Sequence, residues 1–150
     1  MDIELAKRMM DACYQGKRIR DMLPALPEGV SSSFIQYLDV IETLERQGIQ
    51  VKVSDVSDTL ALPRPGVTRT IKDMESKGYV KKLSSSEDRR VTYLTATDAG
   101  KALSEKYNTQ YFTALSSFMD DLPEEDIRCT IRTMEKFYKI MCERRINLDK

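Results

Sequence analysis

The break Leu62-Pro63-Arg64-Pro65-Gly66 constrains this chain more than any other stretch. Each proline disfavours helical geometry in the residue before it and offers no N–H, so no helix can run through the segment. A helix can begin there, with Pro65 at its first position, where the N–H would go unused. On the near side, Asp55-Val56-Ser57-Asp58-Thr59-Leu60 reads as a short element. Ser54 is its N-cap, and Asp55 lies in the first turn, where the helix dipole favours an acid. On the far side, Val67, Ile71, Met74 and Gly78 fall within about 60° of one another at about 100° per residue and face a core. The opposite side carries Pro65, Thr68, Arg69, Lys72 and Ser76, and no acid interrupts Arg64, Arg69 and Lys72. The spacing therefore predicts a short helix, a tight turn and an amphipathic helix ending at Lys77-Gly78.

The rest of the chain organises around this pair. Residues 2–23 read as a helix through Ile3, Ala6, Met10, Cys13, Ile19 and Leu23, stopped by Pro24, Pro27 and Gly29. Ser31, Ser32 and Ser33 offer N-caps for a helix striped by Phe34, Tyr37, Leu38, Ile41 and Leu44, with Gly48 suited to its C-terminal end. After the amphipathic helix, Tyr79–Leu83 and Val91–Thr95 read as short strands around the polar tip Ser84-Ser85-Ser86-Glu87-Asp88-Arg89-Arg90. Thr95 or Thr97 can cap the next helix, whose stripe is Ala99, Leu103, Tyr107, Tyr111, Leu115 and Phe118. Pro123 opens a last helix with Ile127, Ile131, Met134, Tyr138 and Met141 inward. The expected fold is mainly α: a winged helix-turn-helix with a two-stranded β-wing over residues 31–95, flanked by dimerisation helices in 1–30 and 96–150. The 150 residues form one domain of this kind. The helices at 2–23 and 123–146 are too apolar along one stripe to stand alone; a second copy would bury them, and capping the same chain's core is the plainer reading.

Composition removes whole classes of chemistry. The chain has no histidine, hence no Ser-His-Asp or Cys-His nucleophile pair and no usual general base, and it is not read as an enzyme. Cys13, Cys129 and Cys142 show no metal-ligand spacing, so no cofactor or metal is expected. On one helix, the 13 residues between Cys129 and Cys142 span about 20 Å, too far for a disulfide. The cysteines are expected reduced and buried. No apolar run is long enough to cross a bilayer, and a cytoplasmic location is the expectation. Net charge is zero, 24 basic against 24 acidic residues, but its distribution is uneven. From Pro63 to Leu94 eight basic residues face four acidic ones, a net +4, and from Thr95 to Asp126 two face seven, a net −5. A basic middle in a neutral chain points to a local anionic partner.

The chain resembles the MarR family of multiple antibiotic resistance regulators at Val67-Thr68-Arg69, Met74-Glu75-Ser76-Lys77-Gly78-Tyr79-Val80, Asp88-Arg89-Arg90 and Leu94-Thr95, then at Thr97 and Gly100. The resemblance implies a homodimeric transcriptional regulator, commonly a repressor, that grips a palindromic double-stranded DNA operator and is released by a small aromatic effector. Residues 65–77 would be the recognition helix and 79–95 the wing. Arg64, Pro65, Gly66, Thr68, Arg69 and Lys72 would face the major groove, where arginine pairs with guanine and threonine touches a thymine methyl. Pro65 and Gly66 replace hydroxyl residues common in the family, which leaves phosphate contacts there to backbone N–H groups. At the wing tip Asp88 would brace the turn or a neighbouring arginine, Arg90 would enter the minor groove, and Arg89 would meet phosphate or solvent. Cys13, Tyr14, Tyr37, Ile41, Tyr107, Tyr111 and Phe112 are the candidates to line an effector cleft; packed core aromatics are the plainer reading of the same residues. Two alternatives stand beside this reading. One is a winged helix that binds protein; the other is a redox-sensing repressor using Cys13, as in one branch of the family.

Overall fold

The computed structural model describes residues 1–144 and Ile146. The basic pair Arg144 and Arg145 is expected from the sequence to be solvated surface; Arg145 lies outside the described residues. The order is α1 (Ile3–Asp21), α2 (Ser32–Arg46), α3 (Val53–Leu60), α4 (Arg64–Ser76), β1 (Val80–Ser84), β2 (Thr92–Ala96), then one continuous helix and α7 (Glu124–Glu143). The continuous helix comprises α5 (Asp98–Ser104), a π-helical turn (Glu105–Gln110) and α6 (Tyr111–Phe118). The expected fold class holds: mainly helical, with a two-stranded antiparallel wing whose register pairs Val80 with Ala96 and Ser84 with Thr92. Val51 lies along the other edge of β2, its carbonyl accepting the Leu94 N–H at 2.7 Å.

Three α-helices and the wing share one core. Phe34, Leu38 and Ile41 from α2, Val56 from α3, Val67, Ile71 and Met74 from α4, and Val80 and Leu94 from the wing are all buried. The core continues past the wing into Leu103 and Tyr107, so the first half of the long helix belongs physically to the winged unit. What docks it is a close approach. Thr97 is the N-cap of α5: its Oγ1 accepts the Gly100 N–H at 3.1 Å and donates to the Gly78 carbonyl, while its N–H donates to Tyr79 at 3.1 Å. This brings the helix backbone at Gly100 against the Tyr79 carbonyl, where a Cβ would overlap the oxygen.

Several local expectations are corrected. Helix α3 starts two residues early, at Val53, because the Asp55 carboxylate accepts the Lys52 N–H at 2.8 Å; Lys52, not Ser54, is the cap residue. Helix α4 starts at Arg64, so Pro63 is the cap and Pro65 occupies the second position, which tolerates a missing N–H equally well. Ser31 is the cap of α2, but its hydroxyl makes no capping bond. Gly78 is exposed rather than in the core, since its φ of 79° carries the chain out of α4 and into β1. Both strands begin one residue later than their sequence pattern suggests. Ala99 faces solvent because its neighbour Gly100 takes the inward position.

The stripe Leu103, Tyr107, Tyr111, Leu115 repeats every four residues, which overshoots an α-helical face by about 40° per step. The π-turn, with its wider i→i+5 winding, takes back part of that drift and keeps Tyr107 buried and Tyr111 half-buried. Beyond it, burial ends. Among the described residues, α1, α6 and α7 bury no side chain within the protomer, and the expected inward stripe of α7 is open: Ile131, Met134, Tyr138 and Met141 are all exposed. Phe118 is 81% exposed. The cysteines likewise miss their expected burial, with Cys129 and Cys142 exposed on α7 and Cys13 half-buried on α1; all three are free thiols.

Gly100→Ala is expected to destabilise the fold by about 3 kcal/mol, because the contact is with backbone and cannot be relieved by a rotamer change. Thr97→Ala, which removes only the cap hydroxyl, should cost about 1 kcal/mol. Urea midpoints of the two variants check the ranking; a wild-type midpoint for Gly100→Ala would show that the helix shifts freely on the wing.

Candidate nucleic-acid interface

Burial of Val67, Ile71 and Met74 fixes the rotation of α4 and turns its other side outward. Arg64, Pro65, Gly66, Arg69 and Lys72 are exposed there, with Thr68 half-buried at the margin. The acids in the same helix are engaged elsewhere. Asp73, four residues after Arg69, pairs with Lys77 at 3.0 Å, and Glu75 pairs with Lys82 of β1 at 2.9 Å. Lys77 also donates to the Gly29 carbonyl at 2.7 Å and stands 5.3 Å over the Phe34 ring, which makes it a structural clasp. Arg64, Arg69, Lys72, Lys81 and Arg89 take part in no ion pair among the described residues. The net basic charge of this segment is therefore concentrated in uncommitted side chains on α4 and the wing.

The wing tip is built by a serine that sequence reasoning passed over. Ser85 Oγ accepts the N–H groups of Glu87 and Asp88 at 3.2 and 3.3 Å, and the Val91 N–H closes onto the Asp88 carbonyl at 3.0 Å. A serine two or three residues before the N–H groups it receives is the local signal for such a turn. Asp88 Oδ1 then accepts both the Arg90 N–H at 2.9 Å and its Nε at 3.1 Å, while Oδ2 accepts Nη2 at 3.1 Å. The two roles expected of Asp88 and Arg90 thus fall on one fork-to-fork pair, with the Arg90 side chain 90% exposed above the tip. The Arg90 guanidinium, and then its backbone N–H, hold the Asp88 carboxyl below its ordinary value of 3.8 against a smaller opposing effect of desolvation.

A concavity of about 430 Å³ lies between the end of α1, the start of α2 and the π-turn. Tyr107 and Tyr111 line it as expected, together with Phe112, whose ring packs edge-on to Tyr111 at 5.1 Å. Tyr37 and Ile41 do not reach it, because both are buried in the winged core. Cys13 and Tyr14 lie outside its lining, on α1, where Tyr14 is 69% exposed. The cleft instead recruits Arg20, Ile35, Asp39 and Asn108, none of them anticipated. For Asn108 a signal existed: Ser104 and Asn108, two polar residues four apart, sit beside the apolar stripe of the long helix. Among the described residues no cluster of His, Cys, Asp and Glu could hold a metal ion. No described helix is long and apolar enough to cross a membrane.

A short helix, a tight turn, an outward basic helix and a β-hairpin wing on one core define a winged helix-turn-helix protein. Residues 29–91 match the model of the MarR family. It is 26% identical over 108 residues to the HTH-type transcriptional regulator YdgJ of Bacillus subtilis (strain 168), over 72% of this chain and 63% of the relative. It is also 26% identical over 116 residues to the transcriptional repressor MprA of Escherichia coli (strain K12), over 73% and 65%. The matched region thus spans a little under two thirds of the length of these relatives. Its fold is similar to that of Streptococcus pneumoniae FabT crystallised in complex with DNA, with a TM-score of 0.68 and 20% identity over 95% of this chain and 99% of that one.

The lowered Asp88 pKa makes a pH prediction. A carboxylate held below its unfolded value supports the folded tip above that value and loses the pairing only as pH falls through the lower, folded one. A carboxyl titration of Asp88 followed by NMR should have its midpoint below 3.8, and Arg90→Ala should return it to the ordinary range. An unchanged midpoint in that variant would mean the pair does not hold the tip together in solution.

Proposed function

We propose that this chain is a homodimeric, sequence-specific DNA-binding transcriptional regulator that represses from a palindromic operator and is released by a small effector. The observation that carries the reading is the outward side of α4, where Arg64, Arg69 and Lys72 stand exposed and outside any described ion pair. A surface built to bind protein would expose apolar anchors instead. A helix of about this width fits a B-DNA major groove, and an arginine on its outer side can address guanine by two hydrogen bonds. Arg90, paired with Asp88 and 90% exposed at the wing tip, would serve as a minor-groove probe beside it, and Arg89 as a phosphate contact. The similarity to a DNA-bound neighbour supports the same docking.

The dimer is supported by what the protomer leaves open. Ile3, Met10 and Ile19 on α1 and Ile131, Tyr138 and Met141 on α7 are exposed apolar residues on two long helices, an arrangement that a second copy would cover by two-fold symmetry. Two winged units held this way would meet two operator half-sites, which is why a palindrome is expected. The cleft beside Tyr107 and Tyr111 is the place for the effector, with aromatic walls for a ring and Arg20, Asp39 and Asn108 as polar contacts.

Selecting bound sequences from random duplexes and measuring affinity by fluorescence anisotropy tests the reading. Arg69→Ala should lose about 1–3 kcal/mol on the selected operator and much less on random duplex, and the variant should still sediment as a dimer. Asp88→Ala removes a negative charge yet should weaken binding, because Arg90 loses its brace; tighter binding across salt concentrations would reject that role. Failure to enrich any duplex sequence would reject the function.

A further inference from the structure

The π-turn in the long helix is wired to the winged unit through side chains that also form the wall of the cleft. Asn108 Nδ2 donates to the Ile35 carbonyl in α2 at 3.0 Å and to Ser104 Oγ at 3.0 Å. Ser104 is 1% exposed, and its hydroxyl passes the chain on by donating to the Glu42 carboxylate of α2 at 2.6 Å. On the neighbouring position, the Tyr107 hydroxyl donates to the Ala25 carbonyl of the α1–α2 linker at 3.3 Å. Asn108 and Ile35 both line the cleft. One amide therefore joins three things: the wider turn of the helix, the first helix of the winged unit, and the cavity wall.

We propose that the π-turn is a two-position joint, latched by Asn108, that sets how the winged unit is carried on the long helix. A π-turn holds one more residue than the α-helical turn it replaces, so it persists only where side-chain contacts compensate its poorer backbone geometry. Here the compensating contacts are the bonds from Asn108 to Ile35 and through Ser104 to Glu42. A polar group entering the cleft competes for the Asn108 amide. Once that amide is taken, α2 is freed and the turn relaxes towards α geometry. The residues before and after it then change their relative rotation, and with them the winged unit moves against the dimer helices. The latched form is the DNA-competent one. This rests on the reading that the winged unit binds an operator and that the cleft takes the effector.

Two variants test it in the full-length dimer. Asn108→Ala removes the latch, and deletion of Thr109, an exposed residue within the π-turn, removes the residue that the wider turn accommodates. Amide hydrogen exchange of the free protein should show faster exchange, by about tenfold, jointly over residues 33–39 and 104–112 in Asn108→Ala, with residues 67–74 unchanged. The deletion should keep wild-type helicity and dimerisation. Both variants should bind the selected operator about tenfold more weakly, and the double variant should bind no worse than either one, since both act on the same joint. Additive losses, or faster exchange confined to 104–112 with operator affinity within about twofold of wild type, would reduce Asn108 to a packing residue and overturn the proposal. If even the wild-type protein enriches no duplex, the regulatory reading fails by itself. The exchange pattern then still decides the latch: joint loosening of α2 and the π-turn supports it, and loosening of the π-turn alone rejects it.

Discussion

The contact between Gly100 and the Tyr79 carbonyl is the joint on which the rest of this molecule depends. On one side stands the wing, entered through Gly78 at a positive φ; on the other stands the long helix, started by Thr97. The Thr97 hydroxyl serves both, accepting from the helix it caps and donating to the Gly78 carbonyl that precedes the strand. With a Cβ at position 100 the helix could not approach, and Leu103 and Tyr107 could not complete the core of the winged unit. One small residue thus couples the winged unit to the long helix that continues past it.

The electrostatics of the interface follow from where acids are spent. The segment from Pro63 to Leu94 has four acids, and three are committed in ion pairs: Asp73 to Lys77, Glu75 to Lys82, Asp88 to Arg90. The first closes the C-terminal turn of α4, the second ties α4 to β1, and the third stiffens the wing tip. These exposed pairs add little stability individually. Their effect is positional: they leave Arg64, Arg69, Lys72 and Arg89 without an ion pair among the described residues, in a chain whose total charge is zero.

The winged unit buries most of its apolar residues in one core, whereas α1, α6 and α7 bury none among the described residues. Their apolar stripes have the same periodicity as that of α2, but the protomer supplies no surface against which to pack them. The cleft sits at the border of the two regions, with one wall from the finished core and another from the half-covered α1. That placement is suited to coupling an occupant of the cleft to the angle between them.

Much of this was legible in the residues. Pro63 and Pro65 dictated the turn between α3 and α4, the three-and-four spacing of Val67, Ile71 and Met74 dictated which side of α4 faces out, and alternating residues around a charged tip dictated the wing. These are local matters, set by dihedral limits and by the geometry of single elements. The exposed side chains of α4 were legible for the same reason, since a helix buried on one side must present the other. What the tertiary structure alone decided required distant segments to meet. It took Tyr37 and Ile41 into the core rather than the cleft, brought Asn108 to Ile35 across 73 positions of sequence, and put Gly100 rather than Ala99 against Tyr79. It also decided the π-turn, because a stripe at strict four-residue spacing is compatible with a drifting α-helix and with a widened turn. Only the Ile35 carbonyl and the Ser104–Glu42 pair, supplied by another part of the chain, favour the second.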